Sequence, residues 1–193
     1  EYINDFELDS DQSETIDVPK IFDSTLSGFF NFSFSVWFNT ATLPHSTSSF
    51  FSNVIFGATA ERNFFVLLGD NNNPASVSAR VNIGGVWTTC APSPDNSIEI
   101  GKWYNYVVTY NPSSGFVGYL NGVQVSTTSS TGTISARSGT YNLIGALVDD
   151  PSQSGYVNRF YSGKVGPIKA YDKVLTPAEV KNDYIAIKGR YGL

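Results

Sequence analysis

The chain contains no methionine, one cysteine (Cys90) and one histidine (His45) in 193 residues. A single cysteine excludes an intramolecular disulfide framework and a cysteine-based zinc site. Without methionine, Glu1 is not an initiator, and the expectation is a processed product or one domain cut from a longer polypeptide. Charged residues make up only 15%, against about 25% in an average soluble protein. The net charge of −5 and pI near 4.7 lack the basic balance of a nucleic-acid binder. No apolar run is long enough for a transmembrane helix. No signal-type apolar segment or Arg-rich leader is visible.

What the chain has in abundance is aromatic and hydroxyl side chains: 14 Phe, 11 Tyr and 3 Trp, with 39 Ser and Thr. That composition favours strands over long helices. Charge is unevenly spread. Residues 1–23 hold eight acids and one Lys, residues 159–193 hold seven Lys/Arg and three acids, and the 135 residues between carry ten charges. Opposite charges at the two ends suit neighbouring terminal strands.

Short runs with alternation, or rich in β-branched and aromatic residues, predict strands near 14–22, 31–39, 50–57, 63–69, 76–83, 86–90, 103–110, 115–120, 123–128, 141–147 and 157–171. Turn clusters separate them, among them Asp70-Asn71-Asn72-Asn73-Pro74, Gly84-Gly85, Asn111-Pro112-Ser113-Ser114-Gly115 and Asp149-Asp150-Pro151-Ser152. Many short strands at this spacing predict an all-β sandwich or barrel. No linker longer than a turn interrupts the pattern, so residues 1–193 are read as one domain, with 1–13 as an acidic lead-in.

Four local patterns are sharper than the rest. In 31–39, Phe32, Phe34, Val36 and Phe38 share one face, while Asn31, Ser33, Ser35, Trp37 and Asn39 share the other, leaving one aromatic alone on a polar side. Asn121-Gly122, between Leu120 and Val123, predicts a hairpin with a type I′ turn. Val165 and Ile168 are three apart, so both reach the core only across a bulge at Gly166-Pro167. Thr176, Pro177 and Glu179 spell an N-cap, a first-turn proline and a capping box. Val180, Tyr184 and Ile187 then form one apolar stripe of a helix over 177–187, and Gly189 is its expected stop.

Taken together, these landmarks resemble the laminin-G-like, concanavalin-A-like jelly-roll family. Phe32-Ser33-Phe34-Ser35-Val36-Trp37-Phe38 resembles the family's early core strand. Gly101-Lys102-Trp103-Tyr104-Asn105-Tyr106-Val107-Val108-Thr109-Tyr110 resembles its central strand, with Asn105 where His is common, and Gly118-Tyr119-Leu120-Asn121-Gly122 its hairpin. The stretch from Gly163 to Val180 is similar to the closing strand and helix. The resemblance implies a two-sheet antiparallel jelly-roll sandwich with one short C-terminal helix, and Trp103 in the core. The ending Asn182-Asp183-Tyr184, then Lys188-Gly189-Arg190-Tyr191-Gly192-Leu193, resembles that of such domains in structural proteins of tailed phages and large viruses.

Catalytic candidates are sparse. Glycoside hydrolysis needs two carboxylates flanking the bond, yet Glu61, Glu99 and Glu179 are the only glutamates after residue 14. Glu179 is accounted for by the capping box and Glu61 by a surface pair with Arg62. His45 lies in a Ser/Thr-rich loop, without the nucleophile elbow of a serine hydrolase. Cys90, on an expected strand, is read as a buried inert thiol. The expectation is therefore no enzyme and no catalytic residue.

Binding candidates are better. A sugar site stacks an aromatic ring on the pyranose and bonds its hydroxyls with Asn, Asp and Ser. Trp37 on its polar strand face, Trp87 after Gly84-Gly85, and Asp149, Asp150 and Tyr156 in one loop are the candidate ligand-binding residues, each weighed against ordinary packing or a solvated turn. Calcium wants six to eight oxygens, and the family resemblance implies sites at loop rims. Asp149 and Asp150 are the candidate metal ligands, with Asp70-Asn71-Asn72-Asn73 a second oxygen-rich loop that also reads as a plain turn. The expected function is a non-catalytic virion module, as capsid decoration, tail or fibre domain. The alternatives are a secreted carbohydrate-binding module of a multidomain protein and, behind it, a glycoside hydrolase. Expected partners are other virion proteins or cell-surface glycans, with no nucleic acid and no membrane span, at a virion surface or extracellular location. A homo-oligomer is compatible with either setting.

Overall fold

The computed structural model describes residues 6–8, 16–18, 31–43, 53–59, 64–70, 73–134, 141–145, 147–148, 157–158 and 161–193. Among the described residues, fourteen strands follow one another: β1 (Phe6–Leu8), β2 (Ile16–Val18), β3 (Phe32–Thr40), β4 (Asn53–Thr59), β5 (Phe64–Asp70), β6 (Asn73–Ile83), β7 (Val86–Cys90), β8 (Trp103–Asn111), β9 (Gly115–Leu120), β10 (Val123–Thr128), β11 (Tyr141–Ile144), β12 (Leu147–Val148), β13 (Val157–Asn158) and β14 (Gly163–Tyr171). A helix, α1 (Pro177–Lys188), and a 3₁₀ turn at Gly189–Tyr191 close the chain. One antiparallel sheet has the order β1-β14-β3-β8-β9-β10 and the other β2-β11-β4-β5-β6-β7; β12 and β13 form a two-stranded ribbon. The crossovers from one sheet to the other are those of a jelly-roll sandwich.

Alternation builds the core. Phe32, Phe34, Val36 and Phe38 of β3 stand opposite Tyr110, Val108, Tyr106 and Tyr104 of β8. All eight point between the sheets, where they meet Phe64, Val66 and Leu68 of β5 and Val77, Ala79 and Val81 of β6. Phe64 is the hinge between the layers, edge-on to Phe32 at 5.4 Å and to Phe34 at 5.2 Å. Such pairs add about 0.5–1.5 kcal/mol each beyond the area they bury. Cys90 belongs to this core. It is fully buried, its Sγ donates to the Ala79 carbonyl at 3.3 Å, and burial pushes its thiol pKa far up.

The expected bulge is present. Val165 stands opposite Phe38 and Ile168 opposite Val36, so three steps along β14 match two along β3. Both side chains thereby reach the core. The Asn121-Gly122 turn has φ of 52° and 76°, as a type I′ turn requires. The uneven charge at the termini also has a structural counterpart: acidic-end β1 pairs with basic-end β14, with Glu7 in register with Lys164.

Some elements differ from expectation. The run 141–147 divides into β11 and β12, because Gly145 turns to φ 86° between them. Within the run 157–171 the described strands are β13 and β14, with Tyr161 and Ser162 in neither. β1 falls inside the segment read as a lead-in. The helix begins where its box predicts: Thr176 Oγ1 accepts from Glu179 N, and the Glu179 carboxylate accepts from Thr176 N at 2.8 Å. Gly189 caps the helix, as expected, but without turning left-handed. That residue keeps right-handed helical angles (φ −62°), and the left-handed turn comes at Gly192 (φ 73°). One extra turn is what carries Tyr191 back onto the sheet.

Candidate functional site

The two sheets have outer faces of different character. On the β3–β8 side, Ser33, Ser35, Trp37, Thr109, Asn105 and Val107 point away from the core by register, yet all are buried. The loop after β14 and helix α1 cover them. Ser33 Oγ donates to the Lys173 carbonyl at 2.7 Å and accepts from Leu175 N at 2.8 Å, which ties that loop to β3. Val107, Tyr119, Leu175 and Val180 make a second apolar cluster beneath the helix. Asn105 spends its amide inside: Nδ2 donates to Ser35 Oγ at 3.0 Å.

Trp37 is part of this cover. Its indole is 1% exposed, stacks on Tyr184 at 5.5 Å with an interplanar angle of 6°, and meets Tyr191 at 4.9 Å. Tyr191 in turn stacks on Trp103 at 4.0 Å. Trp37 is thus a packing ring rather than an open sugar platform; its lone position on a polar face is filled by the chain's own C-terminal tyrosines. Trp103 faces the same cover, half-buried, rather than the inter-sheet core that the family pattern implied.

The outer side of the β6–β7 hairpin is different. Register places Ala79 opposite Cys90, Arg80 opposite Thr89, Val81 opposite Thr88 and Asn82 opposite Trp87. Since Ala79, Val81 and Cys90 are core, Arg80, Asn82, Trp87 and Thr89 share the outward face, together with Ser76 and Ser78 further along β6. Exposure rises toward β7: Ser76, Ser78 and Asn82 are buried, Arg80, Trp87 and Thr89 are half-buried, and Val86 is 66% exposed. The hairpin is pinned at its tip, where Gly84 and Gly85 have φ of 57° and 89° and Gly85 N donates to Asn82 Oδ1 at 2.9 Å. Arg80 Nε donates to Thr89 Oγ1 at 2.9 Å, which fixes the guanidinium against the β7 edge. The β6–β7 hairpin thus carries an indole, a guanidinium and hydroxyls on one side.

Of the other candidates, Asp149, Asp150 and Tyr156 lie outside the described residues, as do His45 and Glu61. Asn73 serves its own turn: Nδ2 donates to Asp95 Oδ1, and Oδ1 accepts from Ala75 N at 3.2 Å. Glu99 pairs with Lys102 at 2.7 Å on the surface. Glu179 is fixed by Thr176 and by Lys173 Nζ at 2.6 Å; the Lys173 bond first, then the Thr176 amide and hydroxyl, hold its carboxyl down at about 2. Among the described residues no group of three His, Cys, Asp or Glu side chains comes together as a metal site, and no helix is long and apolar enough to cross a membrane. Register adds Arg80 and Ser78 to the face that carries Trp87, and sequence reasoning had singled out neither. Their signal was the alternation Ser76, Ser78, Arg80, Asn82 against Val77, Ala79, Val81.

Two six-stranded antiparallel sheets, closed by a helix over one outer face, define a lectin-type jelly-roll sandwich. Comparison with known proteins gives the family: residues 10–181 match the laminin G-type model of the concanavalin A-like lectin/glucanases superfamily, and the chain belongs to it. Among solved structures, it is similar to the native heptameric SAP-like pentraxin from Limulus polyphemus, with 19% identity, TM-score 0.56, and coverage of 79% of this chain and 68% of that one. It is also similar to domain 4 of AbnA, a GH43 extracellular arabinanase from Geobacillus stearothermophilus solved with arabinotriose, with 18% identity, TM-score 0.58, and coverage of 87% and 71%. A third likeness is to the receptor-binding domain of botulinum neurotoxin C/D mosaic serotype, with 15% identity and TM-score 0.69; it covers 95% of this chain but 42% of that one. At these identities the likeness is one of fold. Among curated proteins, sequence comparison finds no match.

Proposed function

We propose that the chain is a non-catalytic recognition module that binds carbohydrate on the outer side of the β6–β7 hairpin and serves adhesion at a virion surface or in another extracellular setting. The observation that carries this reading is Trp87: a half-buried indole on the outward side of β7, flanked on the same face by Arg80 and Thr89. An indole stacks on the apolar face of a sugar ring, and neighbouring polar groups fix its orientation. The absence of catalysis is supported by the occupations of the described acids: Glu99 is an exposed ion-pair partner and Glu179 a helix cap. The virion setting draws on the ending from Asn182 to Leu193.

A glycan array probed with the purified chain tests the reading. The expected result is binding to a restricted set of glycans, lost in Trp87→Ala while the melting temperature holds. Loss of that binding in no β6–β7 variant would overturn the site. Release of reducing ends from β-glucan or arabinan, abolished by Glu99→Gln, would overturn the non-catalytic reading.

A second reading, a secreted carbohydrate-binding module of a multidomain enzyme, is favoured by the arabinanase domain, which shares the fold over 87% of this chain. Immunogold labelling of particles with an antibody to this chain separates the two: labelled virions support adhesion on a particle, and unlabelled ones the secreted module.

A further inference from the structure

We propose that β10 is a self-association edge, on which a second copy of the chain lays its own β10 antiparallel and so continues the sheet from one copy into the other. Among the described residues, four strands stand last in their sheets: β1 and β10 in one, β2 and β7 in the other. β1 and β2 are three residues each and carry an acid, Glu7 and Asp17. β7 carries the recognition face proposed above. β10 is the longest of the four and has neither a charge nor a proline. One side of it pairs with β9, and no described strand pairs with the other. Val123 is 65% exposed, and Gln124 and Thr127 are exposed as well. A bare strand edge offers a row of backbone N–H and C=O groups to another strand, and native proteins blunt such edges with charge, proline or a bulge. β10 has a bulge between Gln124 and Ser126. It leaves Ser126, Thr127 and Thr128 in regular register, and the uncharged run continues through Ser129, Ser130 and Thr131.

Charge chooses the occupant. Residues 103–136, which include β8, β9 and β10, contain no Asp, Glu, Lys, Arg or His. In a twofold pair the same patch meets itself, so a residue near the axis faces its own counterpart or a close neighbour. A charged strand in that place meets its own sign, and like charges directly opposite destabilise a sheet. β10 brings none. A strongly acidic or basic partner, by contrast, finds no opposite charge on this strand. A second copy supplies an edge of the same length, with Ser and Thr side chains that hydrogen-bond in cross-strand pairs. With Thr127 near the axis, Ser126 of one copy faces Thr128 of the other. β10, β9 and β8 are already antiparallel, so an antiparallel addition extends the same ladder. The net charge of −5 on each copy opposes approach from a distance but is absent from the contact, so salt strengthens the association.

Sedimentation equilibrium of the purified chain at low and high salt tests this. The expected result is an equilibrium between the 21.0 kDa monomer and a dimer of twice that mass, shifted toward the dimer as salt rises. Thr127→Lys changes an exposed position and is expected to raise the dimer dissociation constant about fivefold, because it sets like charges opposite each other. Thr127→Glu is expected to do the same alone. Mixing the two variants restores the dimer, since a lysine then faces a glutamate across the axis. Thermal melts of both variants should match the unaltered chain, which separates lost pairing from lost folding. A monomer at every salt concentration, up to about 1 mM protein, would overturn the proposal. So would a dimer that salt dissociates, or one that neither Thr127 variant weakens, because each places the contact on another surface.

Discussion

Trp37 and Trp87 are both indoles on the outward side of a strand, read from different signals, an alternating strand for one and a Gly-Gly turn for the other, and they have different fates. Trp37 is sealed by Tyr184 and Tyr191, whereas Trp87 on β7 is half-buried. The difference lies in the neighbouring elements. β3 sits at the centre of its sheet, under the helix that follows β14, while β7 is the last strand of the other sheet. Alternation tells which residues share a face; it does not tell whether another part of the chain lies over that face.

The comparison can be broken at its strongest point first. Trp37→Ala removes a fully buried indole and its two tyrosine contacts, and is expected to cost about 3–5 kcal/mol in denaturant unfolding. Trp87→Ala, by contrast, is expected to stay within about 1 kcal/mol. Equal losses from the two would erase the distinction between cover and edge. Next in size, Gly122→Val forces a β-branched residue to positive φ and brings its Cβ within 3.0 Å of Tyr184 Cβ. The backbone strain alone is about 1–2 kcal/mol, a fall of ~2–8 °C in Tm for a domain of this size. Tyr191→Ala should cost about 1 kcal/mol per lost ring stack and red-shift tryptophan emission, since Trp37 and Trp103 both lose their cover. An unshifted spectrum would mean that the C-terminal turn does not seal them.

The smallest effect concerns pH. The folded carboxyl of Glu179 titrates at about 2, below its ordinary value. Its contribution is therefore complete above the ordinary glutamate range and is lost as pH falls from there toward 2. Melts between pH 5 and pH 2 should show a component that disappears in Glu179→Gln, and that salt weakens because the Lys173 pair is exposed. A profile identical in wild type and variant would remove the capping box from the pH response.

Much of this architecture was legible in the residues. The Phe32–Phe38 alternation, the Asn121-Gly122 turn, the Val165–Ile168 spacing and the Thr176–Glu179 box each act over a few residues, so local stereochemistry fixes them. The candidate site was legible only in part. Trp87 stood out because a tryptophan follows a Gly-Gly turn, but Arg80 and Ser78 join it only through the β6–β7 register, and an isolated Arg or Ser carries no sign of its cross-strand neighbour.

By itself, then, the order of residues determined the strands, the turns, the bulge, the helix start and the pairing tendency of oppositely charged ends, because each depends on backbone conformation, side-chain alternation or charge within short reach. Tertiary structure alone decided where the chain goes after the helix, which tryptophan is covered and which hydroxyl is left without a partner. The helix ends at Lys188 with Gly189 as its cap, and the 3₁₀ turn that follows brings Tyr191 against Trp103 and Trp37. Ser78 is an ordinary strand residue until β5 and β6 pair and its face is buried around it. Burial is a property of what comes to lie over a residue, and for a sandwich that cover comes from distant parts of the chain.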